Sequence, residues 1–281
     1  MIFIMKVEKT MDNHLKTGLV LILVLAAIVF AGPLIAPYDP FEVDMSVRLQ
    51  GISLAHTMGT DQLGRDLFSR LIYATGTSVK ISLVVVAASM TIGFIFGSVA
   101  AFLGGAVDEF LMRIIDVFMA FPTKIFTIAI AGVLGASAFN ITLALIFTSW
   151  ASYARMVRGC VLTAKQLPFI DASVALGANR HYTIVKHVLP SVFQPLSTFA
   201  FQRIAHTMMA IVGLSFIGLG VQPPTPELGA MINESKNFMT TAPHLFIFPG
   251  LLISYVVFSF NILDDSLRDY WDPRIKSELV L

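Results

Sequence analysis

Several ionisable side chains sit inside stretches of the sequence that are otherwise apolar, and they are the groups best placed to do chemistry. Arg203 and His206 lie about one helical turn apart, with Met208 and Met209 beyond them, and imidazole with thioether is a donor set for soft metals. Methionine is also ordinary packing material, and no Cys/His cluster has the spacing of a structural zinc site, so no metal site is assigned. Lys124 follows Pro122 in the middle of another apolar stretch, where snorkelling to either surface is hard. A charge at that depth is costly unless it is paired or wetted, so Lys124, Arg203 and His206 are expected to face a water-lined path. Arg113 and Asp116 are spaced i, i+3 and are expected to pair on one helix face, a structural role.

The chemistry that is missing narrows the field further. No G-x-x-x-x-G-K-[ST] loop occurs, so the backbone cradle that ATP phosphates need is absent. No paired nucleophile and base, and no paired metal ligands, fall within the apolar stretches, which argues against an intramembrane enzyme. Only Asp116 puts a carboxylate clearly within a span, which argues against ion-coupled secondary transport.

The elements that must hold these groups are set by composition. The chain has 281 residues, 56% hydrophobic and 13% charged, with a formal net charge of +1. That makeup belongs in a bilayer, and it offers no clustered basic face for nucleic acid. The lone Cys160 cannot form an internal disulfide. Apolar stretches recur at 18–36, 79–103, 109–134, 138–154, 192–220 and 245–263, which predicts six spans. Backbone polar groups cannot face lipid unpaired, so each must be helical, even the β-branched run Ile81 to Val86. Lys6, Lys9 and Lys16 ahead of the first stretch resemble a signal peptide, but no small-x-small site closes the run, and it is read as a retained span. The organisation expected is a first unit over 1–78, a core over 79–263, and a tail over 264–281.

Basic residues resist translocation, so short loops rich in them stay inside. Between Arg155 and Lys186 lie Arg158, Lys165 and Arg180 against one acid, Asp171, which places the 155–190 segment in the cytoplasm. Parity then puts both termini inside and the 37–78, 135–137 and 221–244 connections outside. The tail is less one-sided, with Asp264, Asp265, Asp269 and Asp272 against Arg268, Arg274 and Lys276, but acids weigh little in this rule. Pro33 and Pro37 are expected to close the first span, and Pro223, Pro224 and Pro226 to stiffen the last outer loop.

Within the cytoplasmic segment, Leu167 to Ala178 reads as a short amphipathic helix. Pro168 suits a first helical turn, Asp171 sits near the positive end of the helix dipole, and Gly177 permits the reversal that ends it. Ala172, Ser173 and Ala175 are small enough to let a partner surface approach the backbone. A second short helix through Ile184, Val185 and Val188 leads to Pro190, which opens the fifth span.

The order Asp171-Ala172-Ser173, three residues, Gly177, then Leu189-Pro190 resembles the cytoplasmic signature of ABC importer permeases, written EAA, three residues, G, nine residues, I, one residue, LP. It departs at Asp171 for Glu, Ser173 for Ala, and His187 for Ile. The first two keep charge sign and small size, whereas His187 is a change of character. Gly59-Thr60-Asp61-Gln62-Leu63-Gly64-Arg65-Asp66 with Ser69-Arg70, Ser215 to Pro224 with Glu227 and Gly229, and Asp264 to Arg274 resemble the dipeptide, oligopeptide and nickel permeases of the second-subunit type.

That resemblance implies an all-α integral membrane protein with the type I ABC importer permease fold: six transmembrane helices and a cytoplasmic coupling helix. It implies that Asp171, Ala172, Ser173, Gly177, His187, Leu189 and Pro190 form the contact with an ATPase; the depth of Lys124 and His206, with Arg203 as a further candidate, leads to the expectation that they face a translocation path between two subunits. The implied partners are a homologous second permease, two ABC ATPase subunits and an extracytoplasmic substrate-binding protein. ATP and Mg would be bound by the ATPases, with no cofactor in this chain. Short peptides are the first expectation for cargo, and nickel or another metal carried as a chelate is the alternative. The Gly59 to Arg70 segment, with charges of both signs, is expected to be a solvated outer surface helix rather than a substrate contact.

Overall fold

The computed structural model describes residues 2–271, with side chains described over 14–268 except at 171, 174, 180 and 181. Arg274 and the rest of the tail beyond 271 lie outside the described residues, as does the side chain of Asp171. In chain order the helices are α1 (Ile2–Ile35), α2 (Leu67–Leu103), α3 (Gly105–Ala120), α4 (Thr123–Leu134), α5 (Ala138–Lys165), α6 (Pro168–Ala175), α7 (Arg180–Thr183), α8 (Leu189–Phe216), α9 (Leu228–Ser235) and α10 (His244–Trp271). A π-helical stretch, Ile184–Val188, joins α7 to α8 with αR backbone at both ends, so one continuous helical rod runs from Arg180 to Phe216. No strand is formed among the described residues, as the bilayer argument requires.

By length and apolarity, His14–Ile35, Leu67–Leu103 and His244–Arg268 can each cross a membrane, and α3 with α4 makes a fourth if the bent pair is one span. The remaining two expected spans are α5 and α8, of 28 residues each. They have the length, about 42 Å at 1.5 Å per residue, but carry more polar residues. Helices that wall a wet interior need not be apolar all round.

Two expectations about the spans are corrected. The second helix starts at Leu67 and crosses position 78 without a break, because Asp66 caps it by accepting from the Ser69 amide and its first polar turns are buried by partners from elsewhere in the chain. The third span is not continuous: α3 and α4 meet at 84°. Pro122 lacks a helical N–H and forces the residue before it out of the α region, and Phe121 accordingly adopts φ −88°, ψ 138°. Pro33, by contrast, is accommodated inside α1, which runs on to Ile35.

The core is a helix-on-helix packing centred on α2 and α5. Gly93 and Gly97 make their close approach possible: a Cβ on Gly97 would stand 2.4 Å from the Ala154 carbonyl oxygen, and one on Gly93 would stand 2.4 Å from the Tyr153 Cβ. This small-xxx-small face is a packing signal of membrane helices. Around it Leu71, Val157, Val192, Met208 and Val256 form one buried cluster. At one end of the bundle the 37–66 connection meets α9, through Arg65 and Glu234. At the other, Lys165 bonds the Ala101 carbonyl and Arg158 grips Asp108 with two hydrogen bonds of 2.6 Å. The loops expected to share a side of the membrane thus share an end of the bundle.

Candidate functional site

The break at Pro122 determines where Lys124 sits. It lies in the first turn of α4, after the bend, and its exposed side chain lines an open cavity of about 470 Å³ between α2, α4, α5 and α8. Arg203 and His206, from the middle of α8, line the same cavity, so the three sequence candidates, far apart in the chain, are brought to one place. The remaining polar wall is neutral: hydroxyls of Thr123, Thr127, Ser149 and Thr207, and the buried Tyr153. Arg203 stacks over the Phe199 ring at 4.7 Å, and Phe199 meets Tyr153 edge-on at 5.2 Å. That packing holds the guanidinium against the cavity wall. Ser89, fully buried at the wall, has a hydroxyl without a hydrogen-bond partner.

Met209 lines this cavity, whereas Met208 is buried in the core, so the two methionines do not continue one donor set with His206. Among the described residues no group of three or more His, Cys, Asp or Glu could hold a metal ion.

The second element is the elbow between α5 and α8. Helix α6 begins at Pro168 and ends at Ala175, and Gly177 takes φ +85°, the left-handed conformation that reverses the chain. Ile170 is buried in the core while Phe169, Ala172 and Leu176 are exposed, so the elbow is anchored on one face and open on the other. Asn179 caps the next turn through its side-chain oxygen, which accepts from the Tyr182 amide at 2.7 Å. His187 sits between the Phe169 and Tyr182 rings, with centroids 6.0 and 5.8 Å away, and ties the two limbs of the elbow together. Its backbone carbonyl accepts from the Ser191 hydroxyl at 2.8 Å, just beyond Leu189 and Pro190 at the start of α8.

The third element was not foreseen. Gly59 to Arg70 is no solvated surface helix: Asp61 and Arg65 are each 3% exposed and Arg70 is 1% exposed. Gly59 to Asp66 is a loop, and Leu67 onward belongs to α2. Asp61 Oδ2 accepts from Arg65 Nε at 2.7 Å and faces Arg70 Nε at 3.2 Å, the latter a charge contact rather than an aligned hydrogen bond. Glu234 Oε2, on α9, takes both guanidinium groups at 3.3 Å and the Gln62 amide at 3.0 Å. Glu227, wholly buried, accepts from the Ser78 hydroxyl at 2.8 Å and caps α9 by accepting from the Ala230 amide at 2.9 Å. Next to this, Asp66 joins His56 Nδ1 at 3.0 Å to the first turn of α2. Two acids and two guanidiniums interlock, so a cluster that is costly to bury piecemeal is neutral as a unit. The i, i+4 spacing of Asp61 and Arg65 was its only local trace in the sequence.

One expected pair is overturned. Arg113 binds Glu109 at 2.6 Å on an exposed face of α3, and Asp116 pairs instead with Arg155 of α5. An i, i+4 neighbour and a partner on an adjacent helix both offered better geometry than the i+3 carboxylate.

Comparison with known proteins agrees with this architecture. The family model for the binding-protein-dependent transport system inner membrane component matches residues 89–277, and that for the N-terminal TM domain of oligopeptide transport permease C matches residues 16–51. The nickel transport system permease protein NikC of Escherichia coli (strain K12) is 39% identical over 263 residues, covering 94% of this chain and 95% of the relative. The glutathione transport system permease protein GsiD of Pectobacterium atrosepticum is 40% identical over 260 residues, 91% of this chain and 85% of the relative. The dipeptide transport system permease protein DppC of Haemophilus influenzae is 36% identical over 265 residues, 92% of this chain and 90% of the relative. Among solved structures, the inward-facing MetNI methionine ABC transporter aligns with a TM-score of 0.57 at 16% identity, over 71% of this chain and 95% of that one. An amino acid ABC transporter with histidines aligns with a TM-score of 0.57 at 14% identity, over 70% of this chain and 91% of that one, and both show a shared fold. A multi-pass helical bundle with a glycine-stopped elbow, matched along nearly its whole length by these permeases, belongs to the ABC importer permeases of the peptide and nickel family.

Proposed function

We propose that this chain forms one half of the membrane pathway of an importer for short peptides, and that a separate ATPase drives it through the elbow at 168–190. The observation that carries this reading is mechanical. Helix α8 is continuous with the elbow at one end and presents Arg203 and His206 to the cavity further along. From His187 to His206 is about 28 Å along a helix rising 1.5 Å per residue. A push on the exposed face of α6 is therefore delivered to the cavity by a stiff rod, and the permease as a whole is the element with two arrangements.

In this reading the 155–190 segment and both termini are cytoplasmic, and the 37–66 and 217–243 connections face outward, where a substrate-binding protein delivers cargo. The bias of lysine and arginine toward 155–186 supports that orientation. Asp171, Ala172, Ser173, Gly177, His187, Leu189 and Pro190 make the ATPase contact, a homologous permease supplies the other wall of the path, and ATP and Mg are held by the two ATPases. The second reading for cargo is a metal chelate. It is favoured by the nickel permease among the relatives, as the first is by the dipeptide and glutathione permeases.

The test is co-purification. A tagged chain expressed with its neighbouring genes should bring an ATPase with it, and Asp171→Lys should lose that partner while leaving the chain in the membrane. Full retention of the partner by Asp171→Lys together with a bulky replacement of Gly177 would refute the coupling role.

A further inference from the structure

We propose that the cavity among α2, α4, α5 and α8 is a way-station for anionic, carboxylate-bearing cargo, and that it excludes a bare divalent cation. This rests on the importer reading above, which it extends to the chemical class of what passes.

Lys124 and Arg203 bring an amine and a guanidinium to the lining, and neither has an ion-pair partner among the described residues. His206 adds a ring nitrogen that donates or accepts, and the hydroxyls of Thr123, Ser149 and Thr207 add donors, whereas that of Thr127 is spent on the Thr123 carbonyl and Thr148. Among the described residues no carboxylate, thiolate or second imidazole lines the space. Asp264 on α10 interacts weakly with His206 from outside the cavity and is not on the wall. One acid behind the wall against two cations on it leaves a positive interior.

Cations within a membrane-crossing bundle are costly unless something answers them. The outer network shows how this chain treats charges it means to neutralise: Arg65 and Arg70 are each given a carboxylate. Lys124, exposed, and Arg203, half-buried, face the open cavity without one, and a visiting anion is the group that would displace water from them. A carboxylate accepts from a guanidinium and an ammonium together, whereas a hydrated divalent cation meets only repulsion and a single imidazole. At about 470 Å³ the cavity is within the range of small-molecule sites and far larger than an ion needs. A peptide C-terminus and a chelate with free carboxylates share this chemistry.

The experiment reads the sign of the cavity without needing the natural cargo. In the assembled complex, with the single native cysteine removed as Cys160→Ala, a thiol is placed on the wall as Thr207→Cys, or as Ser149→Cys should the first fail to assemble. Its rates with an anionic methanethiosulfonate (sulfonatoethyl) and a cationic one (trimethylammonioethyl) are each normalised to a small free thiol. The anionic reagent should be preferred, and Lys124→Met and Arg203→Met should each reduce the preference about fivefold. Protection of the thiol by alanyl-alanine would assign the carboxylate to a peptide, and protection by nickel citrate would assign it to a chelate. Equal rates, preference for the cationic reagent, or protection by nickel ion alone would overturn the proposal. Failure here with the ATPase still co-purifying removes only the cargo class, whereas loss of the ATPase with the anion preference intact removes the importer reading.

Discussion

The guanidinium of Arg70, in the first turn of α2, meets the carboxylate of Glu234, near the end of α9, at 3.3 Å across 164 residues of sequence. Arg70 is 1% exposed while the Glu234 side chain is 18% exposed, so the two ends of this contact are not equivalent. Removing the arginine strands Asp61 beside Arg65 alone and empties a buried site. Removing the carboxylate leaves Arg70 with Asp61 and with water at the open edge.

Arg70→Met should therefore be the more damaging change, costing about 3–5 kcal/mol of stability, the range for breaking a buried ion pair. Glu234→Gln should cost about 1 kcal/mol, because the partly exposed position lets solvent screen what is lost. Thermal unfolding of the detergent-solubilised chain, with the double variant closing the cycle, measures both. Equal costs for the two single changes would contradict the asymmetry.

A second prediction concerns the α2 and α5 contact. Gly97→Ala asks for a Cβ 2.4 Å from the Ala154 carbonyl oxygen, a backbone atom that no side-chain rotation can move. The helices must separate, and overpacking of this kind costs about 1–3 kcal/mol. Gly132→Ala on α4, where nothing lies within 4 Å of the new atom, should be silent in the same assay. Folded yield in mild detergent should fall for Gly97→Ala alone.

Much of this architecture could be read without coordinates, and what could not shares a cause. Pro168 and Gly177 bracket α6 because proline and glycine act through local backbone geometry. The long apolar stretches are helices because the solvent leaves them no alternative. The misjudged features all depend on distant partners. Whether Asp61 and Arg65 are wet or buried is decided by Glu234, and whether Asp116 pairs with Arg113 is decided by Arg155. The convergence of Lys124 with Arg203 and His206 needed the bend at Pro122, which a hydropathy stretch cannot express. Gly93 and Gly97 were visible at the spacing of a helix-packing face, but only the facing Tyr153 and Ala154 reveal why a side chain is forbidden there.

The cavity yields a third prediction. Lys124→Met and Arg203→Met keep length and apolar bulk while removing charge, and neither breaks an ion pair among the described residues. Assembly with the ATPase should survive, and cargo uptake should fall about tenfold, the factor for roughly 1.4 kcal/mol of lost stabilisation. Arg203→Lys should recover part of the loss, since the charge is kept and the stacking on Phe199 is weakened. Uptake by intact cells, set against the amount of complex in the membrane, separates this from misfolding. Wild-type uptake in both methionine variants would show that the cavity lies off the path.

The last prediction separates shape from crowding at the elbow. Gly177 holds φ +85°, yet a Cβ added there meets nothing within 4 Å. A substitution is therefore felt through backbone strain rather than through collision. Non-glycine residues in the left-handed region cost about 1–2 kcal/mol, asparagine less because its side chain bonds locally, and β-branched residues most. The order of damage should be Gly177→Asn, then Gly177→Ala, then Gly177→Val, rising with strain and not with side-chain volume. The chain itself should fold in all three, because α6 and α7 flank the reversal without leaning on it. What should fall, by about tenfold for valine, is the affinity of the ATPase for the complex, read by titrating purified ATPase onto the membrane-embedded chain. If asparagine, larger than alanine, were the worse of the two, the volume presented to the partner and not the conformation at Gly177 would control the contact.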